Sequence, residues 1–336
     1  MPRVGLAVGY DPAVSIGEMT SWMRAADERG FEMGFFSETI QLVRDSVTAL
    51  AAFGSVTTRL RLGATQVVRL RSPLVMAQTL AALDELTGGR IILAPGACTI
   101  SHARRHGLEH IDPPLALSEW IDAIRRILTG ERVTLHGQVV RLEAVQLSWR
   151  PLRPAIPMWI AATSRTGLQL AGRIGDGVLL NAVASPEYTA NALKIVRQAV
   201  DAAGRDWSTF EVAQIVNCSI EDDRRRALDA IRWELASKFN PIQLAFNARP
   251  RLAVGEPYIH VEDIPMFERA YREGGHEGLA AAIPDDYVEG LTASGTPEEV
   301  LRRVEQYRQA GVRLPLLRPA AQTQLPRLFD AFAPTH

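Results

Sequence analysis

Much of what would mark a specialised protein is missing from this sequence. There are only two cysteines, Cys98 and Cys218, with no C-x-x-C spacing. Neither a disulfide framework nor a redox or zinc motif is expected. No run of about 18 uninterrupted apolar residues occurs, which argues against a membrane-spanning helix. The first residues, "MPRVGLAVGY", show no apolar stretch behind a basic segment, so a secretory signal is not expected and a cytoplasmic protein is. Charge of either sign is not in excess: 37 Lys and Arg face 38 Asp and Glu, a net −1. No global field draws the chain to nucleic acid or an anionic membrane. No G-x-S-x-G supports a serine hydrolase. No Gly/Ser linker, repeat or low-complexity tract divides the chain, and a single domain over 1–336 is expected.

What is present is an ordinary globular composition, 47% apolar and 22% charged, and a legible order of elements. "RVGLAVG", "MGFFSE", "LRLGATQ", "RIILAPGA", "IPMWIAA", "DGVLLN", "FEVAQIVNCSI" and "VRLPLLRP" read as eight strands, nearly all followed by a helical pattern. Asp45 is placed to cap one helix, Pro73 to open another and Gly88 to close it. "RVTLHGQVVRLEAVQL" alternates as a hairpin does, and Leu193, Val196 and Val200 form the core face of a helix. Strand–helix alternation implies a parallel sheet, and eight such units imply an α/β fold of the (β/α)8 TIM-barrel type. Insertions fall after strand 4 and before strand 8. The least regular stretch, 238–295, reads as an inserted lid or substrate loop.

In such a barrel the chemistry lies at the C-terminal strand ends. Here these are Tyr10 and Asp11, Glu38 and Thr39, Thr65 and Gln66, Gly96 to Thr99, Ala161 to Ser164, Asn181, Asn217 and Arg318. Glu38 is the main carboxylate, and the second carboxylate that glycosidase chemistry needs is not beside it. The rim suits a cofactor that brings its own chemistry. In "WIAATSRTG" a strand ends in Ala161 and Ala162, and Thr163 and Ser164 open the next helix. Two readings stand: a helix cap, or small residues that let backbone N–H groups reach an anion at the helix start.

Other motifs carry less. "GRIGDG" superficially matches a dinucleotide fingerprint, but its glycines end a helix and precede a strand, the reverse of the required order. His102, His106 and His110 recur every four residues, yet Gly107 and Asp112-Pro113-Pro114 break the helix that would align them as metal ligands. No metal is expected; His102, Arg104 or Arg105 suits substrate or phosphate contact better. Cys98 reads as a small packing residue rather than a nucleophile.

The ordered set "RLRLGATQ…SPLVMAQTLAALDELTGGRIILAPGA", "ALSEWIDAIRRILTGERVTLHGQVVRLEAVQL", "IPMWIAATSRTGLQLAGRIGDGVLLN" and "SGTPEEVLRRVEQYRQAGV" resembles the bacterial luciferase-like superfamily, especially its coenzyme F420-dependent branch. That branch includes methylenetetrahydromethanopterin reductases and F420-dependent glucose-6-phosphate dehydrogenases. The resemblance implies a barrel holding a deazaflavin, or FMN, at its mouth, a small-molecule substrate and a homodimer. It implies a non-prolyl cis peptide at Thr65–Gln66 and cofactor contacts from Thr65, Gln66, Ala97, Cys98, Ala161, Ala162, Thr163, Ser164 and Asn181. Where F420-dependent members often carry Asp-His, this chain has Glu38-Thr39. Where sugar-phosphate dehydrogenases place a glutamate, it has Thr99. Glucose-6-phosphate oxidation is therefore not expected. Glu38, Thr39 and Thr99 are the catalytic candidates.

The leading expectation is hydride transfer between coenzyme F420 and a small organic substrate, with C=C or C=N reduction favoured. The alternatives are an FMN-dependent monooxygenase using reduced flavin and oxygen, and a barrel that binds the cofactor without turnover.

Overall fold

The computed structural model describes residues 3–40, 42–97, 103–104, 106–108 and 111–333. β1 (Gly5–Val8) leads to α1 (Ile16–Glu28), β2 (Met33–Phe36) to α2 (Ser46–Val56), β3 (Arg61–Val67) to α3 (Pro73–Thr87), and β4 (Ile91–Gly96) to α4 (Pro113–Leu128). The hairpin β5 (Val133–His136) and β6 (Arg141–Val145) interrupts this rhythm. It resumes with β7 (Trp159–Ala162), α5 (Arg165–Ile174), β8 (Gly177–Leu180), α6 (Pro186–Ala202), β9 (Glu211–Ile220) and α7 (Arg224–Phe239). Then come α8 (Pro241–Leu252), α9 (Ile264–Ala282), α10 (Asp285–Leu291), β10 (Ala293–Gly295), α11 (Pro297–Gln309), β11 (Leu314–Pro319) and α12 (Leu325–Phe332).

The strand order is β10-β9-β11-β1-β2-β3-β4-β7-β8, and a further pairing of β8 with β9 closes the ring. Eight strands form the (β/α)8 barrel, and β10 is a ninth outside it. Every residue of β1, β2, β8 and β11 is buried. Strands covered on both faces need continuous apolar runs, which is how they read in the sequence. Among the described residues no helix is long and apolar enough to cross a membrane.

Contacts group the chain into two compact units: Leu6–Ala161 with Ile174–Gly177, and Met1–Gly5 with Ala162–Arg173 and Val178–His336. In the first, carboxylates hold the connecting segments, Asp27 and Asp84 from buried positions. Asp27 accepts from the backbone N–H groups of Thr58 (2.9 Å), Arg59 (3.0 Å) and Leu60 (2.7 Å). Asp84 is paired with Arg153, whose Nε lies 2.9 Å from Oδ2. Glu119 on α4 takes the N–H groups of Gln138 (3.0 Å), Val139 (2.8 Å) and Val140 (2.9 Å), clasping the hairpin turn. Asp45 caps α2, and Gly88 ends α3 at φ +64°.

In the second unit, Gly172 lets α5 lie against α6: a Cβ there would sit 2.5 Å from the Val196 carbonyl oxygen. "GRIGDG" is thus a helix stop with a packing glycine. The stretch 238–295 is not irregular, as its punctuation suggested; it folds as α8, α9, α10 and β10. Pro250 lies inside α8, and Gly275 bends α9 at φ +60°, so the breakers fall within helices rather than between them.

Candidate active site

Past the end of β2 the chain turns so that Glu38 meets the start of α2. Its backbone N–H donates to Thr65 Oγ1 at 2.7 Å. The buried Ser46 hydroxyl donates to Glu38 Oε2 at 2.9 Å, and Gln66 Nε2 donates to the same oxygen. Among the described residues, the other oxygen, Oε1, receives only the Ser46 N–H at 3.4 Å. Burial pushes the Glu38 carboxyl above its ordinary pKa; the Ser46 hydrogen bonds work against this, Asp45 reinforces it and Arg71 opposes it. A half-buried carboxyl at a strand end, tuned in this direction, is equipped to hold and release a proton. Arg71 is paired with Asp45, and its carbonyl accepts from Trp120 Nε1 at 3.0 Å, so the flanking charges are fixed.

The other sequence candidates near Glu38 divide. Thr65 and Gln66 both come to it. Gln66 spends its amide donor on Glu38 and on Ser46 Oγ (2.5 Å). Thr39 is exposed, and its carbonyl receives Leu42 (3.1 Å) and Val43 (3.2 Å) as the chain turns. The expected cis peptide is not there: among the described residues every peptide bond is trans. β3 runs through Thr65 and Gln66 in register with Ala94 and Pro95 of β4, so the ladder continues through the position where the cis peptide was expected. Ala97 follows β4 and is exposed. Cys98 and Thr99 lie outside the described residues, as do His102, Arg105 and His110.

At the end of β7, Ala162 is buried, Thr163 half-buried and Ser164 exposed. Ser164 Oγ accepts the Gly167 N–H at 3.2 Å, so the capping reading is met. The cap occupies one donor of the helix's first turn. The Thr163 carbonyl is held by the Tyr188 hydroxyl at 2.8 Å. Burial pushes that phenol up to about 12, so it stays a neutral donor.

Asn181 follows β8, exposed, with Oδ1 accepting the Ala182 N–H at 2.8 Å. That leaves its NH2 group as the outward donor. The next residues are pinned one by one. Arg251 Nη2 donates to the Ala182 carbonyl (3.0 Å), Tyr307 Oη to that of Ala184 (2.7 Å), and Glu256 Oε2 receives the Ser185 N–H (2.9 Å). Between them Val183 is buried at φ +60°, a conformation that β-branched residues avoid. Sequence reading did not find Arg251, Glu256, Tyr188 or Tyr307. The first two fall in the stretch that reads as irregular, and no local pattern marks any of them.

At the ends of β9 and β11, Asn217 and Arg318 are register partners, and Arg318 Nε donates to Asn217 Oδ1 at 2.8 Å.

A family model described as luciferase-like monooxygenase matches residues 2–314. The chain belongs to the luciferase-like monooxygenase family. Among similar proteins in this family is the 5,10-methylenetetrahydromethanopterin reductase of Archaeoglobus fulgidus, 25% identical over 91% of this chain and 90% of its own. An F420-dependent glucose-6-phosphate dehydrogenase from Nakamurella multipartita is 30% identical over 82% of each chain. The solved structure of the coenzyme F420-dependent tetrahydromethanopterin reductase from Methanopyrus kandleri superposes with a TM-score of 0.86 at 20% identity, over 98% of both chains. That match speaks for the luciferase-like fold.

Proposed function

We propose that this luciferase-like barrel is a coenzyme F420-dependent oxidoreductase, transferring a hydride between the deazaflavin and a small organic substrate, with C=C or C=N reduction favoured. The observation that carries the reading is Glu38: a half-buried carboxyl with a raised pKa at a strand end, in a chain that has enzymes named as F420-dependent among its relatives. When bound, the deazaflavin supplies the hydride chemistry. Glu38 supplies the proton. Its Oε2 is occupied by Ser46 and Gln66, which leaves Oε1 as the oxygen that carries the exchangeable proton. The Thr65 hydroxyl holds the Glu38 main chain in place, and Thr39 follows it in sequence as the remaining hydroxyl candidate. The residues at the ends of β7 and β8 fit an anionic cofactor tail. Small side chains at Ala161 and Ala162 give way to the N–H groups of Thr163 and Ser164, and Asn181 adds an amide donor. The segment 238–295 serves positioning, through the anchors Arg251 and Glu256.

Titration of the purified protein with F420 and with FMN, followed by absorbance and fluorescence, tests the cofactor. F420 binding, with F420H2 oxidised by members of a panel of enones and imines, is the expected result. Glu38→Gln should lower that turnover by about 10²–10⁴-fold, the usual worth of a positioned proton donor, while F420 still binds. Binding of FMN alone, with oxygen consumed when reduced FMN is supplied, would establish the monooxygenase alternative instead. Sedimentation velocity tests the homodimer that we propose on family grounds.

A further inference from the structure

The interior face of β2 ends in a hydroxyl with nothing to bond. Phe36 packs on Phe53 of α2, ring centroids 6.3 Å apart, so its neighbours Phe35 and Ser37 lie on the opposite face, toward the barrel interior. Phe35 shares that face with Gly63 of β3 and Ile92 of β4: a Cβ on Gly63 would lie 3.1 Å from Phe35 Cδ2 and 2.5 Å from Ile92 Cδ1. Two residues further along the strands come Ser37, Thr65 and Ala94, the last two being register partners. Gly96, the next on the same face of β4, pairs with Ala161 of β7. The two levels differ in bulk. At the lower one Phe35, Ile92 and Trp159 are buried and fill the interior, as large side chains do in barrels of this kind. At the upper one stand a serine, a threonine, two alanines and a glycine. Thr65, Gly96 and Ala161 are only half-buried, so this level is an open floor of small side chains rather than a packed layer.

The hydroxyls of this floor are in different states. Thr65 Oγ1 accepts the Glu38 N–H at 2.7 Å and donates to the Glu38 carbonyl at 3.3 Å, so it is spent on the chain itself. Ser37 is 8% exposed, and its backbone N–H is fixed on the Val8 carbonyl at 2.8 Å. Its Oγ has no hydrogen-bond partner among the described residues. A buried hydroxyl left unpaired costs stability, and alanine would fill the same place without that cost. On a floor that is otherwise apolar or already satisfied, Ser37 is one unspent donor.

We propose that Ser37 is a recognition residue for the ring of the redox cofactor, its hydroxyl donating to a carbonyl oxygen on the ring's pyrimidinedione edge. A flat ring suits a floor of small side chains, and an aromatic system with one polar edge suits a floor with one donor to give. The inference rests on the F420 reading above. The pyrimidinedione is common to deazaflavins and flavins, however, so the contact serves either ring. The hydroxyl is then kept at a cost to the ligand-free fold because the ring completes its hydrogen bonding.

Ser37→Ala and Ser37→Cys, the second keeping the volume while weakening the donor, test this against the wild-type protein. The melting temperature of ligand-free Ser37→Ala should stay level or rise. Affinity for F420, titrated by fluorescence, should fall about three- to tenfold in both variants. In infrared difference spectra a carbonyl stretch of the bound cofactor should move to higher frequency once its hydrogen bond is gone. Unchanged F420 affinity with an unmoved carbonyl band overturns the proposal and leaves the F420 reading intact. A lower melting temperature of ligand-free Ser37→Ala also overturns it, by showing the hydroxyl satisfied within the fold. If the protein takes FMN and not F420, the same loss measured with FMN leaves the ring contact standing and removes the F420 reading alone. Binding of neither ring overturns both.

Discussion

Glu38 and Asp27 are both carboxylates lodged among backbone and hydroxyl donors, and they titrate in opposite directions. Burial dominates at Glu38 and raises its pKa. At Asp27 burial is again the largest single influence, but the N–H groups of Thr58, Leu60 and Arg59 together outweigh it and the pKa falls. The raised group favours folding in acid, and that contribution is lost as pH rises through its folded-state pKa. Glu38→Gln should therefore gain stability relative to wild type as pH climbs past the ordinary carboxylate range, in thermal melts across a pH series. In turnover, the wild-type reductive rate should decline as pH rises through the same titration, because the proton-bearing form is being lost. A rate that rises instead would remove Glu38 from the proton-donor role. Asp84 supplies a second test at this scale: its side chain is 1% exposed and its partner is Arg153. Arg153→Ala strands that charge and should cost about 3–5 kcal/mol in denaturant unfolding. Glu38 was legible in the sequence because few other carboxylates fall at a strand end. Arg251 and Glu256 were not, since their partners are main-chain groups some seventy positions away.

At the scale of elements, the strands and most helices were visible because burial on both strand faces and on one helix face writes itself into apolar spacing. Caps were visible as well: Thr296 and Glu299 form a capping box at the start of α11, as "TPEEV" suggests. Helices α8 to α10 were not, because Pro250, Gly274 and Gly275 interrupt the pattern inside them. The cis peptide expected at Thr65–Gln66 came from the family's habit, and the unbroken pairing of β3 with β4 overrules it. The contact between α5 and α6 depends on a missing side chain. Gly172→Ala would put a methyl 2.6 Å from Ala199 Cβ and 2.5 Å from the Val196 carbonyl oxygen. Overpacking of this kind should destabilise by about 1–3 kcal/mol, seen as a lower denaturation midpoint with an unchanged m-value.

For the whole molecule, the ring of strands sets where chemistry can sit, and carboxylates beneath and beside it set the conditions under which it holds. Asp27 and Glu119 both have lowered pKa values, Glu119 because the N–H groups of Val140, Val139 and Gln138 overcome the effect of its burial. Lowered carboxylates stabilise above their unfolded-state pKa, and that share is lost as pH falls through the folded-state value. The protein should lose stability in acid, and Asp27→Asn should flatten that loss while lowering the midpoint at neutral pH. An acid limb identical to wild type would place the sensitivity elsewhere. Much of this architecture was readable from alternation alone, whereas the candidate site was readable only as a set of strand ends; which of them act together depends on folding.

The stretch after β8 has a consequence for engineering. Val183 keeps a costly backbone twist only while Arg251, Glu256 and Tyr307 grip its neighbours, and the first two of these belong to α8 and the loop that follows it. Transplanting residues 241–256 from a relative in order to alter substrate choice would slacken that grip. Asn181 would drift with it, and a swap aimed at one ligand would be felt by the other.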